Sequence, residues 1–375
     1  MRTDPLARAA ARTFAHSVAR TSSYAAALVA CLAGHAAAQS ITAVSYGGSY
    51  QRASTEAWYE PFAAATGIRV DVEDFTGGLA QIRAQVEVGN VYWDVVDLNA
   101  SEVTLACDEG LLEYVDAEML PSGPDGTPAE EDFAPGTLSD CGVGGVVWST
   151  IYAYDANRFP GARPETIADF FDLEKFPGRR GMRRVPMVNL EFALLADGVP
   201  AGDVYAVLDT REGLDRAFRK LATIKDQVVW WEAGAQPPQM LADGEVVMST
   251  AYNGRIFNAQ VLEDQPFVIV WDGQLLDINQ LAIVAGSPRV EEAMRLVSFA
   301  STAEALAALG RRISYGPARA SAAPLITTHL ETGVEMGPHL PTHPANMARA
   351  LRRDWAWWVD NQDALNERFS AWLAR

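Results

Sequence analysis

Apolar and polar positions along the chain change repeatedly between the two-residue period of a strand and the longer period of a helix. Strand and helix patterns alternate at residues 41–46, 50–65, 68–75, 77–89 and 93–99. Gly67 ends the first of these helices, in the position where a left-handed residue is preferred. Regular alternation of this kind is typical of an α/β fold with a parallel sheet.

Two long apolar segments divide the rest of the chain. Residues 143–155 (VGGVVWSTIYAYD) predict a strand long enough to leave one lobe and enter the next, and residues 277–284 (DINQLAIV) predict a second crossing strand. The α/β alternation resumes between them. Residues 345–375 have a helical pattern rich in Trp, which we expect to anchor a terminal helix to a lobe.

A chain of 375 residues is too long for one small core, so we expect two lobes. The predicted organisation is a signal peptide at residues 1–38, a first part of lobe 1 at 39–149, lobe 2 at 150–276, a return to lobe 1 at 277–325, and C-terminal helices packed on the lobes at 326–375.

The first 38 residues have the pattern of a secretory signal peptide. Several Arg residues precede an apolar run of about ten residues, which ends in three Ala residues before Gln39. That run is about half the roughly 20 residues of a membrane-spanning helix, so we expect export to the periplasm. The residues before Cys31 also fit a lipoprotein cleavage site, which leaves a lipid anchor at Cys31 as an alternative.

The net charge of the chain limits the classes of molecule that it can bind. The formal net charge is −18, and removal of residues 1–38 takes away four Arg and one Asp, which makes it −21. Phosphate binding requires clustered Lys and Arg, so nucleic acid is a poor partner for this chain. An acidic surface favours cations, although it also serves solubility.

Two cysteines, Cys107 and Cys141, remain after the signal segment. In an oxidising compartment an even pair suggests a disulfide, while two buried free thiols are the alternative.

Catalytic signatures are scarce. The chain has no G-x-S-x-G, H-E-x-x-H, G-x-x-x-x-G-K-[ST] or G-x-G-x-x-G motif. His339 and His343 have the spacing of metal ligands on a helix, but Pro341 between them argues against a helix. We therefore expect no enzyme, no metal and no cofactor.

Polar and aromatic residues follow several predicted strands. Tyr46, Asn99 and Tyr252 lie at strand ends, where ligands bind in open α/β sheets. Ser49 can cap the helix after Tyr46. Four acids also lie at strand ends, and each taken alone is more typical of a solvated or capping residue than of a ligand-binding one: Asp94, Asp97, Asp272 and Asp277.

Several motifs in order give the chain a family resemblance. They are the YGG turn at residues 46–48, F-x-x-x-T-G-I-x-V at 62–70, WDVVDLN at 93–99, EGLLEYVD at 109–116, GEVVMSTAYNGR at 244–255 and YGPARASA at 315–322. Over residues 41–375 the chain resembles the solute-binding proteins of bacterial ABC importers, and it is most similar to the spermidine/putrescine group. The resemblance implies a two-lobed periplasmic binding protein fold of type II, with mixed, mostly parallel sheets and two crossing hinge strands. It also implies a small-molecule ligand, a permease partner in the inner membrane, and a monomer.

In polyamine binders, aromatic rings flank the methylene chain and carboxylates bind the ammonium ends. The resemblance places such contacts at Tyr46, Asn99, Tyr252, Asp277, Asn279 and Tyr315. Acids expected near Tyr46 and before residue 189 are replaced by Gly48, Val185 and Val188, and Glu232 or Glu191 can substitute for them. An amino-acid-like solute or another organic amine is therefore an alternative ligand. Ferric-ion binders share the implied architecture and are a further alternative, although the adjacent tyrosines that they generally need do not occur in this sequence. A periplasmic hydrolase is a more distant alternative function.

Overall fold

A computed structural model describes residues 40–375, and two long strands run through the middle of its sheet. The eleven strands, in chain order, are β1 Ser40–Ser45, β2 Arg69–Asp74, β3 Val95–Asn99, β4 Leu138–Ser139, β5 Gly142–Asp155, β6 Arg180–Arg183, β7 Val228–Trp231, β8 Met248–Tyr252, β9 Phe267–Ile283, β10 Gly316–Pro317 and β11 Leu351–Arg352. The main strand order is β2-β1-β3-β9-β5-β8-β6-β7.

Fourteen α-helices lie within the described residues. They are α1 Gly48–Ser54, α2 Glu60–Thr66, α3 Ala80–Val88, α4 Ala100–Asp108, α5 Ala129–Asp132, α6 Ile167–Phe171, α7 Asn189–Ala196, α8 Val204–Leu208, α9 Arg211–Ala222, α10 Gln236–Ala242, α11 Asn253–Leu262, α12 Val290–Ala300, α13 Ala303–Gly310 and α14 Trp355–Leu373. A π-helical turn, Thr55–Tyr59, joins α1 to α2.

Strand direction divides the sheet. β1 pairs in parallel with β2 and β3, and β6 pairs in parallel with β7 and β8, because helices cross back between these strands. The two long strands β5 and β9 run antiparallel to each other and to their outer neighbours β8 and β3. The predicted α/β fold with two crossing strands is confirmed, and the sheet combines parallel outer parts with an antiparallel centre.

Separate cores lie on the two sides of the crossing strands. Around β1, β2 and β3, Trp58, Phe62 and Leu296 are buried in one of two apolar clusters. Around β6, β7 and β8, Phe170, Phe192 and many neighbours form another large cluster. We call these regions the first and second lobes; residues 40–375 nevertheless form one compact unit, and the exact boundaries proposed from the sequence stay predictions.

The C-terminal region differs in detail from the sequence prediction. Residues 326–350 are largely irregular, and the helix begins only at Trp355, where the Asp354 side chain accepts a hydrogen bond from the backbone N–H of Trp357. One long helix, α14, therefore takes the place of several. Trp357, Leu365 and Phe369 pack it into the core of the second lobe.

A disulfide joins Cys107 at the end of α4 to Cys141 just before β5, as the sequence predicted, with 5.8 Å between the Cα atoms. The predicted signal peptide and the alternative lipid site at Cys31 lie outside the described residues. Among residues 40–375, no helix combines the length and the apolar character that crossing a membrane requires.

Candidate ligand-binding site

A cavity of about 340 Å³ lies between the two lobes. The carboxyl ends of β1 and β3 reach it from the first lobe, and those of β6 and β8 reach it from the second, as expected for an open α/β sheet. Its walls include Tyr46, Tyr50, Phe75, Asn99, Glu102, Trp148, Arg183, Val185, Glu232, Tyr252, Arg255, Asn279, Tyr315, Trp358, Gln362 and Asn366.

A carboxylate is held on the first-lobe wall by the start of α4. The Asn99 side chain accepts a hydrogen bond from the backbone N–H of Glu102, and the Asn99 backbone N–H donates to Glu102 Oε2 over 3.4 Å, which makes a reciprocal helix cap. Asn99 Nδ2 also donates to Oε2, over 2.7 Å. The Gly78 N–H donates to Glu102 Oε1 over 2.7 Å, and the Tyr46 hydroxyl donates to Oε2 over 3.3 Å. Burial raises the pKa of Glu102, and these donors oppose that rise.

A buried chain of hydrogen bonds forms the back of the cavity. The Trp148 indole donates to Asn279 Oδ1, and Asn279 Nδ2 donates to Asp97 Oδ1, each over 2.7 Å. The Tyr50 hydroxyl donates to the other Asp97 oxygen over 2.5 Å. Burial raises the pKa of Asp97 to about 7 although both donors lower it. Asp97 therefore lies behind the cavity lining and orients Tyr50 and Asn279, which belong to that lining.

Aromatic rings enclose the middle of the cavity. The Tyr252 ring meets Trp148 at 4.9 Å between centroids and Trp231 at 5.8 Å, both edge to face. Tyr50 and Tyr315 meet at 5.5 Å. These contacts fix the rings against each other, so they form a pre-organised apolar surface for a short methylene chain.

Two arginines of the second lobe face the same space. Arg255 on α11 donates from Nη2 to the carbonyl oxygens of Tyr46 and Gly47, over 3.2 and 2.8 Å, and from Nη1 to Ser49 Oγ over 3.1 Å. It therefore ties the second lobe to the loop after β1. Arg183 ends β6, and within residues 40–375 its guanidinium has neither a hydrogen bond nor an ion pair.

The C-terminal helix provides the remaining wall. Trp358 is fully buried, and its indole N–H donates to Glu191 Oε1 over 2.7 Å. Gln362 and Asn366 follow at four-residue spacing on the same face of α14. Of these residues, Trp358 both anchors the helix in the second-lobe core and lines the cavity.

Six residues predicted to touch ligand line the cavity: Tyr46, Asn99, Glu232, Tyr252, Asn279 and Tyr315. The other two lie outside the lining. Ser49 does not cap α1 as predicted, because the cap position is Gly47, and the Ser49 hydroxyl instead accepts a hydrogen bond from Arg255. The buried Asp277 forms an ion pair with Arg353. The substitute acid Glu191 lies beneath Trp358. Asp94 and Asp272 pair with Arg289 and Arg349, away from the cavity.

Sequence reasoning missed Glu102, Trp148, Arg183, Arg255 and the two amides of α14. The spacing of Asn99 and Glu102 is the signature of a helix cap and could have drawn attention to Glu102. Arg183 is the last residue of β6, and no sequence motif marks that strand end. No sequence motif links Gln362 and Asn366 to the cavity, whose first lining residue in chain order is Tyr46.

Metal ligation has no support in this region. Among residues 40–375, no three His, Cys, Asp or Glu side chains come together in a way that could hold a metal ion. The polar groups that converge on the cavity are instead two arginines, the carboxylates Glu102 and Glu232, amides and hydroxyls.

A cavity enclosed by two α/β lobes and lined by fixed polar and aromatic groups defines a binding protein for a small solute. The family described as bacterial extracellular solute-binding protein matches residues 57–342, and the chain belongs to that family. The predicted solute-binding class is confirmed, whereas the polyamine group within it stays a prediction.

Three individual proteins are similar to this chain over most of its length. The gamma-aminobutyric acid-binding protein of Pseudomonas aeruginosa is 42% identical over 362 residues, covering 96% of this chain and 98% of that protein. The PBP MotA from A. tumefaciens B6, solved in complex with glucopine, is 30% identical with a TM-score of 0.79 and covers 89% of this chain and 100% of its own. The GABA receptor Atu4243 is 29% identical with a TM-score of 0.76 and covers 90% of this chain and 98% of its own.

Proposed function

We propose that this protein is the periplasmic binding component of an ABC importer and that its ligand is a zwitterionic amino acid of the gamma-aminobutyric acid (GABA) type. It would bind the solute between its lobes and deliver it to a permease in the inner membrane. The proposal rests on the charges of the cavity, where an arginine without a protein partner and a hydrogen-bonded carboxylate are presented by opposite lobes.

Arg183 is the carboxylate-binding group in this proposal. Its planar guanidinium can form two parallel hydrogen bonds to a carboxylate, and no described residue competes for them. Glu102 is the ammonium-binding group, because the N–H donors around it hold the carboxylate in place and Arg183 across the cavity favours its charged form. Charge-assisted hydrogen bonds contribute about 1.5–3 kcal/mol each, so a pair at each end suits micromolar affinity after association costs.

A polyamine is the second candidate, favoured by the rings of Tyr252, Trp148 and Tyr315. Cation–π contacts of roughly 0.5–2 kcal/mol per ring would help to hold an ammonium group. However, a polyamine has a cation at each end, and Arg183 and Arg255 would repel one of them. A zwitterion satisfies both signs of charge in the cavity.

Ligand binding is coupled to lobe closure in this proposal. Glu102 belongs to the first lobe and Arg183 to the second, so a zwitterion touching both favours the closed arrangement. Arg255 adds a contact across the same gap without using the ligand. The long strands β5 and β9 are the connections about which the lobes would move.

Calorimetric titration of the wild-type protein and of Arg183→Gln tests the proposal. We expect GABA to bind the wild type more tightly than putrescine does, and Arg183→Gln to weaken GABA binding at least about tenfold, or 1.4 kcal/mol. Arg179→Gln is the matched control, because Arg179 is exposed just before the same strand and should leave affinity within about twofold. Stronger binding of putrescine than of GABA, or equal effects of the two substitutions, would overturn the proposal.

A further inference from the structure

The last helix of the chain lies beside both lobes. Trp357, Leu365 and Phe369 of α14 pack in the second-lobe core, while the helix also contacts α4, which carries Glu102. Its cavity face bears Trp358, Gln362 and Asn366 at successive four-residue steps. The cavity wall therefore changes from a buried indole to two neutral amides along one helix.

The two amides differ from the other two asparagines of the cavity in having no protein partner within the described residues. Asn99 and Asn279 are held by hydrogen bonds to Glu102 and Asp97. Gln362 and Asn366, in contrast, are exposed to the cavity, and no hydrogen bond or ion pair occupies their side chains within residues 40–375. Each amide has two N–H donors and a carbonyl acceptor free for a ligand.

The size of the cavity leaves room beside a simple amino acid. Its volume of about 340 Å³ falls in the range of roughly 300–1,000 Å³ found for pockets that take drug-sized ligands. GABA is much smaller than such a ligand. Glu232 is the second carboxylate of the lining besides Glu102. Its side chain is 72% exposed, so the cavity opens to solvent beside Glu232.

We infer that Gln362 and Asn366 form a second subsite, which selects zwitterions whose amino nitrogen carries an uncharged, hydroxylated substituent. The inference rests on the proposed function, since it assigns the ammonium group to the side of the cavity formed by Glu102, whose helix contacts α14. From that side the substituent extends along α14. Its hydroxyl groups exchange hydrogen bonds with the two amides, which can both donate and accept.

A matched pair of ligands isolates the hydroxyl groups. N-(2,3-dihydroxypropyl)-GABA and N-propyl-GABA have the same charges and nearly the same length. Two net hydrogen bonds of about 0.5–1.5 kcal/mol each correspond to a preference of roughly tenfold. We expect calorimetric titration of the wild type to show this preference for the hydroxylated ligand, and we expect the double variant Gln362→Met/Asn366→Leu to reduce it below about threefold.

Controls separate this inference from the function on which it rests. Glu367→Met, at an exposed position of the same helix outside the cavity, should keep the preference. Each single variant should lose part of it, and circular dichroism verifies the fold. If GABA binds but the wild type shows no preference for the hydroxylated ligand, or the double variant keeps that preference, the subsite is overturned. Failure of wild-type protein to bind GABA or either derivative instead overturns the proposed function and the subsite with it.

Discussion

Arg255 explains why a glycine stands at residue 48. Gly48 has a φ of 61°, a left-handed conformation that favours glycine, and a Cβ atom there would collide with the Arg255 guanidinium. The polyamine pattern leads us to expect an acid near Tyr46. In this chain Gly48 stands there instead, and the Arg255 guanidinium of the opposite lobe fills the space beside it. Gly48 belongs to the contact between lobes, and the sequence could indicate only that a side chain was absent.

Substitution of Gly48 tests this contact. We expect Gly48→Ala to weaken GABA binding about tenfold, because displacement of Arg255 removes hydrogen bonds made only when the lobes meet. Gly67→Ala is the control: its φ of 75° imposes a similar backbone cost of about 1–2 kcal/mol, but a Cβ atom would meet no neighbour. Titration should show unchanged affinity for Gly67→Ala, and equal loss in both variants would contradict the role of Arg255.

The buried Asp97 predicts how stability changes with pH. Its folded-state pKa of about 7 lies above the unfolded value of about 3.9, so the folded protein binds the proton more tightly. The free energy of unfolding should therefore fall, by up to about 4 kcal/mol, as pH rises from 4 to 7, with no further contribution from this group above pH 7. Asp277, whose pKa burial also raises to about 7, acts in the same direction.

Urea unfolding at several pH values measures this dependence. Asp97→Asn should make the decline between pH 4 and 7 shallower while the share from Asp277 remains. An identical slope in the variant and the wild type would show that Asp97 has an ordinary pKa.

Among the elements, those with regular local patterns were predictable. Strand and helix periods located β1–β3, the long strand β5 and the helices between them, because one face or the whole of each element is buried. The start of α14 was not predictable, since the predicted helical pattern extends before it, from residue 345, and the Asp354 cap alone marks the boundary. β9 proved longer than expected because its first residues, from Phe267, pair with β5 in the second lobe.

The disulfide stabilises the connection between two elements of the first lobe. Cys107 and Cys141 are 34 residues apart, and closing a loop of that size contributes on the order of 3–4 kcal/mol in the chain-entropy account. We expect Cys107→Ser/Cys141→Ser to lower the free energy of unfolding in urea by about 2–4 kcal/mol. Affinity for GABA should change by less than about threefold, because Glu102 lies at the opposite end of α4.

Reducing agent provides the control for the disulfide. Dithiothreitol should lower the stability of the wild type towards that of the double variant and leave the variant unchanged. Equal urea midpoints for oxidised wild type and variant would show that the bond does not contribute.

In the whole molecule, the cavity combines positions that are distant in the chain. Tyr46, Asn99 and Tyr252 could be predicted as site residues, because they lie at strand ends and a parallel sheet brings such ends together. Arg183 faces Glu102 only through the relative position of the lobes, and α14 reaches the cavity only by packing on the second lobe. Neither arrangement leaves a local pattern, so the binding class could be predicted while the charges that select the ligand could not.

The position of α14 has a consequence for biosynthesis. Trp358, Gln362 and Asn366 are synthesised about 300 residues after Tyr46, yet they line the same cavity. A nascent or truncated chain that stops before residue 355 lacks this wall and part of the second-lobe core. We therefore expect a chain without α14 to retain solute less well than one that includes it.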